Sequence, residues 1–407
     1  MTEALSPAVH PDEERLARRN VGLLMAAQSL SGAGPSIIIS LGGIIGQMMA
    51  PSAMLATVPV SLFNLGVAMG TLPAAWLMRK VGRRPAYMLG ALIATASGFI
   101  SAGGVAGMLF TIFCIGTFAA GISGAFVQSY RFAAADAAPP ALRANAISKV
   151  MIGGLIAAVI GPQLVIWTRD SIPGIPFSGS FLAQSGLALA TFFVVSFLRP
   201  PPMAIGGAVT AETGRPIFQI LLTPRFLLAI AAGVVSYGLM SFVMTAAPVA
   251  MVGCGHTIGE AALGIQWHVL AMFGPSFFTG KLIAKFGKER VTAFGLVLIA
   301  ASAAVALMGL AVANFWIALV LLGVGWNFGF IGATSMVTDC HTQAERAKVQ
   351  GANDFLVFGS VAVASFSSGT LLNVAGWSLL NQLVFPAVAI VLVPLLVVIA
   401  RKPAKAA

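Results

Sequence analysis

The sequence predicts an all-α integral membrane protein of twelve transmembrane helices, arranged as two six-helix pseudo-repeats with both termini cytoplasmic. Three observations predict it. Of 407 residues, 58% are hydrophobic and only 9% are charged, with a mean hydropathy of +0.95, whereas soluble domains carry about 25% charged residues. Apolar runs of about 20 residues, long enough to cross hydrocarbon, recur between charged and Gly/Pro breaks. Cationic side chains gather in alternate loops, the signature of a positive-inside topology. The net charge of +11 is therefore a topology signal rather than a nucleic-acid footprint.

Taken in order, a polar N-terminal segment, 1–20, carries Asp12-Glu13-Glu14-Arg15 and Arg18-Arg19. A full-length apolar span follows it, which is not the pattern of a cleavable signal peptide. The spans of the first half, 21–198, read as 21–45, 54–78, 86–104, 108–131, 147–167 and 179–198. A polar linker, 199–225, leads to the second half, 226–400, with spans 226–250, 260–283, 291–311, 314–337, 350–372 and 378–400, and then a tail, 401–407. Of 23 Lys and Arg, all but Arg131 and Arg169 fall on one side of this arrangement. That side is the cytoplasm, and the localisation expected is the bacterial inner membrane. Cys114, Cys254 and Cys340 fall in a helix and in loops on opposite sides, so neither a disulfide framework nor a metal cluster is expected. The chain has no Asn-x-Ser/Thr acceptor, and no cofactor motif appears.

The densest charge run is Arg79-Lys80-Val81-Gly82-Arg83-Arg84. Four cations in six positions cannot lie in hydrocarbon, so the run forms a short interfacial loop. Gly82 suits a tight turn and Pro85 the first turn of a new helix. The run recurs as Gly287-Lys288-Glu289, and Gly90 recurs as Gly295, both 205 residues on. Asp136 with Arg143 likewise recurs as Asp339 with Arg346, 203 residues on. Parallel six-span repeats of this kind place a solute site at the midplane between them.

These residues resemble the loop motif of the major facilitator superfamily, Gly-x-Leu-x-Asp-Arg-x-Gly-Arg-Arg/Lys. Leu77, Lys80, Gly82, Arg83 and Arg84 match, while Ala75 and Arg79 stand at the motif's Gly and Asp positions. In the second half Gly280, Leu282, Lys285 and Gly287 match, with Ala284 at the acidic position. The resemblance implies alternating access by two rocking halves, with Arg79, Arg83, Arg84, Asp136, Asp339, Arg346, Asn353 and Asp354 as the gating and coupling set. Arg79 reverses the usual latch charge, so Arg79 or Arg131 is expected to pair with Asp354. Gly161-Pro162 matches the pair at the centre of a drug/proton antiporter motif, but Ala157, Gln163 and Val165 depart from its surroundings. The first span holds no acid. The runs Gln128–Asp136, Gly325–Phe330 and Gln350–Phe355 resemble a bacterial group within the superfamily that includes riboflavin transporters.

Ionisable residues within spans are costly and default to functional candidates. Arg131, His268 and Asp354 qualify. Snorkelling is the alternative for Arg131, helix-start pairing for Asp354 and hydrogen-bonded packing for His268. His268 or Asp354 would carry a coupling proton. The family fold implies that spans one, four, seven and ten line the cavity, which selects Gln28, Gln128, Tyr237, Trp326 and Asn327; Asn64 joins them as a polar candidate. Amides and ring faces suit a neutral heterocycle better than a phosphate, which would call for several cations. Interhelical hydrogen bonding is the competing role for each amide. The expectation is a monomeric secondary transporter, not an enzyme, carrying an aromatic heterocycle such as riboflavin inward. A proton-coupled multidrug exporter and a non-transporting sensor or scaffold of the same fold are its rivals.

Overall fold

The computed structural model describes residues 11–138, 143–199, 214–342 and 345–401. The first ten residues, most of the linker and the tail beyond Arg401 lie outside the described residues, as does the Arg143 side chain. Among the described residues every regular element is helical.

The first half comprises α1 (Pro11–Ser31), α2 (Ala33–Met49), α3 (Val58–Val81), α4 (Arg83–Ala106), α5 (Phe110–Val127), α6 (Tyr130–Ala137), α7 (Arg143–Thr168) and α8 (Ser178–Ser196). A short α9 (Ile217–Leu221) ends the linker. The second half comprises α10 (Pro224–Gly253), α11 (Ile258–Phe273), α12 (Ser276–Phe286), α13 (Lys288–Leu307), α14 (Val312–Val337), α15 (Arg346–Gln382) and α16 (Val384–Arg401).

Among the described residues ten helical stretches are long and apolar enough to cross a bilayer, against twelve expected, and two departures lie behind the difference. The expected eighth span divides at Gly274-Pro275 into α11 and α12, since Pro275 has no N–H with which to continue the helix. The expected eleventh and twelfth spans run together from Lys348 to Arg401. Within that stretch Gly376 takes φ 76° and ψ 177°, close to the φ 87°, ψ 167° of Gly82 and the φ 88°, ψ 154° of Gly287. Those two glycines join α3 to α4 and α12 to α13, so a left-handed φ suited to glycine marks each of these corners. The expected first and fourth spans are also interrupted. Pro35 withholds an amide from the Ser31 carbonyl beside the α1–α2 break, and α5 gives way to α6 at Gln128-Ser129.

The buried cores follow the two halves, with Ile39 and Val60 of the first joining the second's cluster and Ala262 of the second joining one of the first's. Tyr87, Phe113, Tyr130 and Phe181 are almost fully enclosed in the first half, and Phe226, Leu296 and Phe315 in the second, where Ile220 of the linker joins them. Small residues let backbones touch within a half: a Cβ on Gly66 would stand 2.3 Å from the Phe118 carbonyl, and one on Gly121 would stand 2.1 Å from that of Phe63. Close small-residue packing of this kind is how helices associate without a hydrophobic driving force between them. The outer face is apolar, with Leu72, Trp167, Met308 and Ile390 largely exposed, as hydrocarbon requires.

The halves meet on the side away from the cationic loops. Ser61 Oγ lies 3.0 Å from Ser365 Oγ, which lies 3.1 Å from Thr245 Oγ1. Asn373 Nδ2 donates to the Ala53 carbonyl at 2.7 Å, and Gln163 Nε2 donates to Gln266 Oε1 at 3.0 Å. On the cationic side no ion pair among the described residues joins the first half to the second, and Gln128, Arg131 and Asp354 are exposed. The molecule is closed on one face and parted on the other.

Candidate functional site

A cavity of about 220 Å³ lies at the seam between the halves. The break between α1 and α2 shapes one wall, with Gly32 and Gly34 facing it and Gln28 beside them. A Cβ on Gly32 would stand 2.6 Å from the Gln28 carbonyl and 2.9 Å from the Ala157 side chain, so the narrow turn admits only glycine. Helices α3 to α8 complete the first half's wall, and α10, α11 and α15 supply the second half's. Rings and thioethers dominate the second wall: Tyr237, Phe273 and Phe358 with Met240, Met244 and Met272. Tyr237, Met240 and Met244 follow the three-and-four spacing that puts side chains on one helix face. Methionine is adaptable and makes favourable contacts with aromatic edges.

Of the residues singled out from sequence, Gln28, Asn64, Gln128, Arg131 and Tyr237 line this cavity. Trp326 stands behind Tyr237, edge-on at 5.2 Å between ring centroids, and stacks on Phe330 at 5.4 Å. Asn327 is fully enclosed. Its Nδ2 donates to the Met272 carbonyl at 2.6 Å and to Ser276 Oγ at 2.7 Å, while Thr279 Oγ1 donates to its Oδ1 at 2.6 Å. It therefore stitches α14 across the α11–α12 break. His268 is also enclosed, with Nδ1 donating to the Leu319 carbonyl at 2.7 Å. Its ring ties α11 to α14.

Sequence reasoning missed Gln184, Ser241 and the methionines. Gln184 is the one amide in an otherwise apolar or small-residue span, which was the available signal. The family's choice of cavity spans leaves out the sixth, where it lies. The methionines carry no sequence signal that separates a cavity wall from a core.

The gating candidates collect on the cationic face. Arg83 at the start of α4 pairs with Asp136 at the end of α6. Asp339 pairs with Lys288 and, at 2.6 Å, with Arg225. Burial works against the charge on Asp339, but Lys288 and Arg225 outweigh it and hold the carboxyl below its usual range. Arg215 at the end of the linker grips Glu345 with Nε at 2.8 Å and Nη2 at 2.9 Å. That guanidinium and the Thr342 N–H hold Glu345 well below the usual carboxylate range. Arg346 donates to Gln350 Oε1 at 3.4 Å. Asn353 Nδ2 donates to Asp354 Oδ1 at 3.1 Å, and Asp354 is within electrostatic reach of Arg131. Arg79 and Arg84 are exposed and make no ion pair among the described residues.

The family described as Major Facilitator Superfamily matches residues 21–365. The chain belongs to this superfamily. Its family and relatives are transporters rather than enzymes. It is 60% identical over 390 residues to the riboflavin transporter RfnT of Brucella anthropi, covering 96% of this chain and 98% of that protein. It is 32% identical over 403 residues to the uncharacterized MFS-type transporter YddS of Bacillus subtilis, covering 92% of this chain and 91% of that one. Among solved structures it resembles the nucleoside transporter NupG, with a TM-score of 0.71 at 13% identity over 92% of this chain and 99% of that one. It also resembles FucP in its outward conformation, with a TM-score of 0.59 at 16% identity over 92% and 98% of the two chains. These two likenesses establish the fold alone.

Proposed function

We propose that this chain imports riboflavin across the bacterial inner membrane by alternating access, as a twelve-span monomer with both termini cytoplasmic. The observation that carries the reading is the cavity at the seam, where rings and thioethers from one half face amides from the other and Arg131 is, among the described residues, the lone cation lining it. A neutral tricyclic flavin with a polyol chain suits such a wall. A phosphorylated flavin would call for more cations. The 60% identity to a riboflavin transporter over nearly the whole chain supports the same solute. The glycine corner at Gly376 and the proline break at Pro275 support two further crossings beyond the ten continuous stretches. The one-sided cations support cytoplasmic termini, with halves 21–198 and 226–400 joined by the linker 199–225. In this reading the parted face is cytoplasmic, and Asp354 is the acid placed to exchange a coupling proton beside Arg131.

Thermal stability of the purified protein against a panel of riboflavin, flavin nucleotides, nucleobases and lipophilic cations tests the solute. A ligand at 100 times Kd stabilises the folded state by about 2.7 kcal/mol. Riboflavin should shift the melt, Tyr237→Ala should abolish the shift, and expression should rescue growth of a riboflavin-requiring strain at low external riboflavin. A shift with lipophilic cations alone, lost in Asp354→Asn, would replace this reading with the drug exporter.

A further inference from the structure

Among the described residues, three buried polar atoms in the cavity wall have no hydrogen-bond partner: Gln184 Oε1 on α8, Asn64 Nδ2 on α3 and Ser241 Oγ on α10. Gln184 is 5% exposed and Ser241 1%. A buried polar group left unpaired is destabilising, so each is a fault in a packed wall unless a ligand completes it. Ser241 is telling, because membrane-helix serines have a ready partner in the preceding turn. Ser123, in the same cavity wall, donates to the Ala120 carbonyl at 2.7 Å, and Ser29 and Ser129 bond back in the same way. Ser241 does not. Gln184 is packed over Gly34 at the α1–α2 break, where a Cβ would stand 3.7 Å from its Cδ.

The three atoms offer one acceptor, one amide donor and one hydroxyl able to donate. We propose that Gln184, Asn64 and Ser241 read an imide edge, the carbonyl–N–H–carbonyl face of a heterocycle held in the cavity. Gln184 Oε1 accepts from the imide N–H, and Asn64 and Ser241 donate to the two carbonyls. The inference rests on the reading that the seam cavity is the solute site, and it names the part of the solute that is recognised. An edge presenting only an amino group and a ring nitrogen, as adenine does, leaves part of this set unpaired and is rejected for that reason. Because Gln184 and Asn64 belong to the first half and Ser241 to the second, a solute that satisfies all three also draws the halves together.

Affinities of the purified full-length protein for riboflavin and for 3-methylriboflavin, which lacks the imide N–H, test this. The wild type should prefer riboflavin by about tenfold or more. Gln184→Met should weaken riboflavin by about tenfold, leave 3-methylriboflavin unchanged and so erase the preference. Equal wild-type affinities, or an equal loss of both ligands in Gln184→Met, would overturn the assignment. Ser241→Ala breaks no internal hydrogen bond, so it tests the same edge even if Gln184→Met fails to fold. It should narrow the preference for riboflavin over its thiocarbonyl analogues, and an unchanged preference counts against the proposal. If riboflavin does not bind but uracil or lumazine does, with an N-methyl penalty that Gln184→Met removes, the flavin reading falls and the edge reading stands. If riboflavin binds with no penalty for N3 methylation, the reverse holds. If no imide binds, both fall.

Discussion

Arg83 pairs with Asp136, and the second half repeats the arrangement with Lys288 and Asp339. The partners stand 205 and 203 residues apart in the two halves, each pair fastening the start of one helix to the end of another. The cationic loop motif therefore works first within its own half. Its guanidinium is mostly covered, at 14% exposure, while the Asp136 carboxylate is 59% exposed. The expected coupling is that of a partly solvated pair, about 0.2–1 kcal/mol. Arg83→Gln and Asp136→Asn should lower riboflavin transport to similar extents. Arg83→Asp combined with Asp136→Arg should recover part of it; a double variant as poor as the sum of the two losses would show that the residues act separately.

The hydroxyls of Ser61, Ser365 and Thr245 form a clasp between the halves on the closed face. Alternating access requires that clasp to open. In a protein with Cys114, Cys254 and Cys340 replaced, Ser61→Cys with Ser365→Cys should form a disulfide on oxidation. Transport should stop and then return on reduction. A cross-linked protein that still transports would mean that this face does not open.

Asn327 holds three partners around the α11–α12 break. Truncation to Ala leaves buried groups unpaired and should destabilise the protein by about 1–3 kcal/mol. Its riboflavin affinity should stay close to that of the wild type, whereas Tyr237→Ala should do the opposite. Calorimetric melting and equilibrium binding on the same preparations separate the two.

Glu345 is enclosed at 2% exposure and gripped by Arg215. Its carboxyl is depressed below the usual value, so the stability it contributes is fully present above the unfolded-state pKa of about 4.3. That contribution fades as pH falls from there through the depressed folded value. Glu345→Gln should melt earlier than the wild type at pH 7, and the gap should shrink as the pH drops below about 4. A gap independent of pH would assign the loss to packing rather than to charge.

Hydropathy, one-sided cations and the 205-residue repeat made the membrane class and the two-half plan legible, because burial in lipid constrains every residue of a span. Boundaries were less legible. The splits at Gly274-Pro275, Gly32 and Gln128-Ser129 replace continuous spans, since a local backbone fault leaves overall hydropathy almost unaltered. For the site, Gln28, Asn64, Gln128, Arg131 and Tyr237 were visible as polar or aromatic residues in apolar runs and lie in the cavity wall. Trp326, Asn327 and His268 carry the same kind of signal, yet they pack behind the wall or between helices.

By itself the sequence determined what lies in the membrane, that the charges gather on one side and that the chain repeats itself. These follow from the cost of placing charge and unpaired backbone in hydrocarbon, a cost paid residue by residue and so written locally. Only the tertiary structure decided which amides are already satisfied and which, like those of Gln184 and Asn64, retain an unpaired atom. It also decided that the hydroxyls of Ser61 and Ser365, 304 residues apart, close one face. A hydrogen bond depends on where two helices come to rest against each other, and no spacing along a single chain encodes that position.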